Sequence, residues 1–185
     1  MKSYIEIPVK SANRLINHGP TVLVSTKDSS GIYDIAPIAW NSPVHKDPPR
    51  LLVVVGTRHK TFDNISASGE FIVCVPHISQ VDMVRKAGSV SGRDVDKFNQ
   101  LGIETFAGKK VDALVPAECV GYLECKVNDC IRSGMVGIIV ADILAAGADK
   151  QSFDGRLLVE REAGKTIHHL GGSAFAIPEN KIFDN

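Results

Sequence analysis

The sequence predicts a closed antiparallel β-barrel decorated by short helices. Two observations carry this. Runs of β-branched and apolar residues recur along the chain with turn-forming clusters between them. The segments with helical spacing are short and lie between those runs rather than alternating with them as long units. No internal repeat, low-complexity tract or linker interrupts the 185 residues, so one domain over residues 1–185 is expected. That length buries a core without disulfide or metal staples.

Ser11 is expected to cap a short helix with Ala12, Leu15 and Ile16 on one face, ended by Gly19-Pro20. Thr21 to Thr26 is β-branched and predicts a strand. The cluster Asp28-Ser29-Ser30-Gly31 is a turn, so Ile32 to Trp40 should return as its hairpin partner. Pro37 cannot donate to a ladder, which places that partner at an edge or a bulge. Asn41 to Pro49 carries three prolines and is expected to be a loop. Arg50 to Gly56 is apolar on both faces, so a central strand is expected. A short helix follows from about His59 to Ala67 and stops at Gly69.

Glu70 to Val75 predicts another strand. Ser79 can cap a helix running to about Lys86, with Val81 and Val84 inward. Ser89 to Arg93 is polar and glycine-containing, and Asp94 should start a short helical piece holding Phe98 and Leu101. Two long strands are expected at Cys119 to Asp129 and Met135 to Ala145. Thr166 to Pro178 is expected to be loop and then strand.

Composition narrows the function. Lys and Arg number 21 and Asp and Glu number 21, a balance that gives no support for nucleic-acid or membrane-surface binding. No apolar run reaches the roughly 20 residues of a membrane helix; the longest, Met135 to Ala148, is broken by Gly137, Asp142 and Gly147. Met1 to Glu6 lacks the apolar run of a secretion signal, so a cytoplasmic protein with reduced thiols is expected. Cys74, Cys119, Cys125 and Cys130 form no CxxC pair and read as small apolar side chains, not a metal or dithiol site.

Two stretches can carry chemistry. Gly56 to Ile65 leaves a buried strand and enters a helix, whose free N–H groups and dipole favour an anion. There they coincide with Arg58, Lys60 and the hydroxyls of Thr57 and Thr61, with His59 between. Arginine can fork onto a phosphate and lysine adds a point charge. The stretch reads equally as a solvated basic helix start. The second stretch, Asp34 to Ser42, sets small residues around Pro37. Such a strand lets a planar ligand lie against its backbone. On its own it reads as a proline-bent edge strand ending in a core tryptophan, Trp40.

His168 and His169 are adjacent, so in an extended segment they face opposite sides and do not share one metal. One of the two fits a proton-relay role, or equally a solvent-exposed or structural one. His18, His45 and His77 lie in turns or loops without an evident partner. No nucleophile-elbow serine with a downstream His and Asp occurs, which disfavours hydrolysis. No GxGxxG follows a strand, so a nicotinamide nucleotide would bind without a Rossmann unit.

Taken in order, Gly31, Ala36 to Trp40, Pro43 to Pro49, Leu51 to Val55, Arg58-His59-Lys60-Thr61, Gly69 to Pro76, Asp96-Lys97-Phe98 and His169-Leu170-Gly171-Gly172 resemble the flavin reductase-like, or flavoredoxin-like, family. The similarity spans about residues 21–177. It implies a six-stranded antiparallel FMN-binding split barrel working as a homodimer, with the flavin near the subunit interface. By the same resemblance, Ala36, Pro37, Ile38, Ala39, Trp40, Asn41 and Ser42 border the flavin ring and ribityl chain. Thr57, Arg58, His59, Lys60 and Thr61 hold its phosphate, and Phe98 and His169 line the neighbourhood. Cys74 departs from the asparagine frequent in the family.

The resemblance implies an NAD(P)H-dependent flavin reductase, with NADH or NADPH passing hydride to N5 of FMN and no side chain needed as acid or base. A flavoredoxin-type electron carrier that exchanges electrons with a partner protein is the alternative, and a non-redox binding barrel a third.

Overall fold

The computed structural model describes residues 5–180. In chain order it contains β1 (Val22–Lys27), β2 (Tyr33–Ile38), β3 (Asn41–Lys46), β4 (Pro49–Gly56), α1 (Lys60–Ser68), β5 (Glu70–Val75), α2 (Val81–Ser89) and α3 (Lys97–Gln100). Then follow β6 (Thr105–Ala107), β7 (Leu114–Pro116), β8 (Gly121–Ser133), β9 (Val136–Ala148), β10 (His168–Gly171) and β11 (Ala174–Ala176). Seven strands form one antiparallel sheet in the order β2-β1-β5-β8-β9-β4-β3. Its two edge strands, β2 and β3, are consecutive in sequence. Only Ala39 and Trp40 join them, so the sheet must curl until its edges meet; the Trp40 carbonyl accepts from the Val54 N–H at 2.9 Å, which extends the β3–β4 ladder by one rung. That is a barrel split at one seam.

The sheet has seven strands, not the six expected, because Asn41–Lys46 pairs with β4 instead of looping. Pro43 is tolerated there because β3 is an edge and its register slips between Pro43 and His45. The same reasoning holds for Pro37 in β2, where the edge position was anticipated. Arg50 to Gly56 is an interior strand, paired with β9 on one side and β3 on the other, but only one of its faces is fully buried. Leu51, Val53 and Val55 point into the barrel core and are buried, while Leu52 and Val54, on the other face, are only half-buried.

The two faces of β1 and β5 build two cores. Val22, Val24, Phe71 and Val73 point into the barrel with Val53, Ile139 and Ala141. Leu23, Ile72 and Cys74 point outward, under α2 and α3, with Ile35, Val84 and Phe98. Alternate residues therefore serve opposite faces, as a pleated strand requires. Helix α1 closes one end of the barrel by burying Phe62 and Ile65 in the inner core.

Four local expectations change. The first helical turn is a 3₁₀ turn, Val9–Leu15, with no side-chain cap, so Ser11 caps nothing, and Leu15 and Ile16 are exposed. His77, not Ser79, caps the turn before α2: its ring accepts from the Ser79 N–H, and Gln80 reaches back to the His77 N–H. The short helix around Phe98 is capped by Asp96, whose carboxylate accepts from the Asn99 N–H at 3.1 Å. His45 lies in strand β3, with Nδ1 3.0 Å from the Pro48 carbonyl. Gly69 ends α1 in the left-handed region at φ 71°, as anticipated. The strands β8 and β9 form one long hairpin.

Candidate functional site

The fold brings the two stretches together. Ala36, Pro37 and Ile38 of β2 face Arg58, His59, Lys60 and Thr61 across a cavity of about 360 Å³. The wall between them is Ala87 to Gly92, the end of α2 and the loop after it, and Asp34, Val55 and Lys97 complete the lining. The turn Thr57–His59 links β4 to α1 and is pinned to the β8–β9 turn: the Thr57 N–H and hydroxyl both donate to the Met135 carbonyl, at 2.9 and 3.2 Å. His59 precedes α1 in extended conformation without a side-chain cap bond. The Lys60 and Thr61 N–H groups, first in the helix, have no backbone partner within it.

The cations are arranged unequally. Arg58 is exposed and, among the described residues, makes no hydrogen bond or ion pair. Lys60 is committed: its Nζ is 3.0 Å from Asp28 Oδ2 and donates to the Gly92 carbonyl at 3.0 Å. The Ile32 N–H at 2.8 Å, and then Lys60, hold the Asp28 carboxyl below its ordinary value. Lys60 thus ties the β1–β2 turn to the cavity wall. Lys97 is buried; it donates to the Ile35 carbonyl at 2.8 Å and stands 3.3 Å from Asp34 Oδ1. A buried lysine beside a buried carboxylate neutralises the cavity floor. With those two lysines paired, Arg58 and the helix start supply the unmatched positive character. A phosphate monoester has the complementary charge, and small Ala36 and Ala87 leave room for a flat ring system.

The other expected residues distribute around this cavity. Ala39 and His169 line an adjoining cavity that shares Pro37, Gly88 and Ser89 with the first. Asn41 and Ser42 line a third, apolar cavity of about 480 Å³, which His168 also borders. His168 and His169 therefore do face opposite ways. Asn41 is partly committed to structure, donating to the Pro20 carbonyl at 2.8 Å. Trp40 is 47% exposed at the seam and is not a core residue. Phe98 sits in the outer core with Ile35 and Val84 and does not line the cavity; its neighbour Lys97 does. The wall Ala87 to Gly92 lies outside the two stretches that the sequence marks for chemistry. Its signal was a run of small residues, Ala-Gly-Ser-Val-Ser-Gly, directly after an amphipathic helix.

Cys74 is fully buried, and burial pushes its thiol well above its ordinary value.

The chain is 33% identical over 186 residues to the uncharacterized protein YddH of Escherichia coli K12, with 98% of each chain covered. Its structure matches that of flavoredoxin from Methanosarcina acetivorans with a TM-score of 0.84 at 24% identity, covering 99% of this chain and 95% of the other. It also matches an FMN-binding domain of a flavin reductases-like enzyme from Shewanella baltica, with a TM-score of 0.80 at 28% identity, covering 97% and 96%. The family model described as flavin reductase like domain matches residues 14–168. The chain belongs to the flavin reductase-like family.

Proposed function

We propose that this protein binds FMN as one domain and acts as an NAD(P)H-dependent flavin reductase. The observation that carries the reading is the cavity joining β2 to the start of α1, with Arg58 unpaired at its rim. Arg58, the Lys60 and Thr61 N–H groups and the Thr61 hydroxyl would hold the phosphate. A terminal monophosphate suits this compact set, whereas FAD must also place an adenylate, so FMN is the expected flavin. Ala36, Pro37 and Ile38 would lie along the ring and ribityl chain. Lys60 and Lys97 position: they hold the β1–β2 turn, the Ile35 carbonyl and the cavity wall in place.

When bound, FMN supplies N5 as acceptor for hydride from NADH or NADPH. The chain's part is to orient and to exclude water, and no acid or base residue is required. A flavoredoxin-type carrier would use the same site with a partner protein as electron source or sink.

A homodimer is part of the reading. Val9, Leu15 and Ile16 near one end, and Ile131, Met135 and Leu144 on the β8–β9 hairpin, are exposed apolar side chains that a second copy would cover. Light scattering should give about twice the 19.9 kDa chain mass; a monomer with FMN bound would contradict it. No helix among the described residues is long and apolar enough to cross a membrane, and a cytoplasmic location is proposed.

The test is the visible spectrum of the purified protein with FMN added, followed by NADH or NADPH without air. A bound-flavin spectrum bleached by either nucleotide supports the reductase. Bound FMN that neither nucleotide bleaches favours the carrier, and no FMN uptake sinks both.

A further inference from the structure

We propose that the open end of the barrel is a second ligand site, built for a small uncharged apolar molecule that carries one hydroxyl group. The proposal goes beyond the flavin reading and does not depend on it. Helix α1 closes one end of the barrel: its Asn64 donates to the Thr26 hydroxyl, near the end of β1, at 2.9 Å. Val22, at the start of β1, lines the cavity of about 480 Å³ at the opposite end. Val53, Val73, Leu123 and Ile143 join it there, one from each of four further strands of the inner core. The floor of this cavity is therefore the barrel interior, where Val22, Val53 and Val73 are buried. A recess of that size and lining suits a small molecule, since ligand pockets run to roughly 300–1,000 Å³ and are mostly apolar. It shares no lining residue with the phosphate cavity or with the cavity beside that one.

One wall carries the polar groups. Residues 166–168 run extended between two antiparallel bridges, His77 to Thr166 and Pro20 to His168. Side chains of an extended segment alternate. Ile167 is fully buried in the outer core with Leu23 and Ile35, so Thr166 and His168 face the other way, onto the cavity. Thr166 is 1% exposed, and its Oγ1 has no hydrogen-bond partner among the described residues. A buried hydroxyl left unpartnered is unfavourable until something satisfies it.

The neighbours of these groups set the ligand class. His168 Nδ1 lies 2.9 Å from the His18 carbonyl oxygen. A carbonyl only accepts, so Nδ1 carries the hydrogen and the neutral ring offers Nε2 as an acceptor. A ligand hydroxyl can accept from Thr166 and donate to His168. Arg50, the one Lys, Arg, Asp or Glu side chain of the lining, is already paired: its Nε is 2.6 Å from Asp142 Oδ1. An ionic ligand would find no unmatched counter-charge in this cavity, so the ligand is uncharged.

The probes are 2-naphthol and 2-methylnaphthalene, which share one apolar body and differ in the hydroxyl. Each is titrated by its own fluorescence, with and without FMN. The parent protein should bind both, and FMN should leave both affinities unchanged. Thr166→Val keeps the shape and removes the unpartnered hydroxyl. It should weaken 2-naphthol roughly two- to tenfold, the worth of one hydrogen bond, and leave 2-methylnaphthalene bound as before. Its Tm should equal or exceed that of the parent. Nuclear Overhauser contacts from the bound probe should reach the methyl groups of Val22, Val73 and Ile143. No binding of either probe, an equal change for both in Thr166→Val, a lowered Tm, displacement by FMN, or contacts to other residues overturns the proposal. Binding that strengthens as the protein is diluted to monomer would mean that a second copy fills the cavity, and overturns it too.

Discussion

Gly88 of α2 packs so closely on Pro37 of β2 that a Cβ added at residue 88 would stand 2.9 Å from Pro37 Cγ. This contact is the wall between the two cavities described above. Pro37 cannot yield easily, since its ring is fixed to an edge strand. Gly88→Ala should therefore push α2 off β2. Overpacking of this kind costs about 1–3 kcal/mol, offset in part by alanine's better helix propensity. Thermal denaturation should show a lower Tm, and flavin titration a weaker affinity for FMN and riboflavin alike. Unchanged values for both would mean that the wall is not a close fit.

Glu124 should govern stability in acid. Its side chain is fully buried in β8 and accepts backbone N–H bonds from Lys109 at 3.0 Å, Lys110 at 2.5 Å and Val111 at 2.8 Å. Burial pushes this carboxyl up, but the three backbone donors outweigh burial and hold it below its ordinary value. A carboxyl lowered in the folded state contributes stability that is present above its unfolded value of 4.5 and is lost as pH falls through the folded value. Glu124→Gln keeps the size but turns an NH₂ toward N–H donors. It should cost about 1.5–3 kcal/mol at neutral pH, as for hydrogen bonds to a charged group. The gap between variant and parent should narrow below pH 4.5. Urea midpoints measured across pH test this; a gap that widens in acid would contradict it.

The cysteines should react in order of exposure. Cys130 is exposed, Cys119 is half-buried, and Cys74 and Cys125 are buried, with burial pushing the Cys125 thiol up to about 12. Alkylation of the native protein, read by peptide mass spectrometry, should mark Cys130 first and leave Cys74 and Cys125 unmodified until unfolding. Early labelling of Cys74 would show a reactive thiol where the structure has an inert one.

Most of the barrel was legible because its strands are short, β-branched and set off by turns, as in Thr21 to Trp40. The seventh strand was not, because three prolines between Asn41 and Pro49 look like a loop; an edge strand needs N–H donors on one side only, so Pro43 fits. Leu51 to Val55 is the interior strand its apolar run suggests, yet apolar residues on both faces do not tell which face is covered: Leu51, Val53 and Val55 enter the barrel core while Leu52 and Val54 stay half-buried. The meeting of Ala36–Ile38 with Arg58–Thr61 could be reached only through the family resemblance, since it depends on how the sheet closes. The commitment of Lys60 to Asp28, and the replacement of Phe98 by Lys97 in the cavity wall, depend on tertiary pairing. Residue spacing carries no record of that.

The central claim is that the start of α1 holds a flavin phosphate, and Arg58→Ala tests it most directly. Arg58 has no structural partner among the described residues, so the variant should stay folded with an unchanged Tm. A charge-assisted hydrogen bond is worth about 1.5–3 kcal/mol, or roughly a ten- to hundredfold change in dissociation constant. Lys60→Ala would be ambiguous, since that side chain also braces Asp28 and Gly92. The measurement is the titration of Arg58→Ala with FMN and with riboflavin, followed by quenching of flavin fluorescence. The account predicts FMN affinity lowered by that factor and riboflavin affinity unchanged. Unchanged FMN affinity, or equal weakening of both flavins, would contradict it and leave Thr57 to Thr61 as a solvated basic helix start.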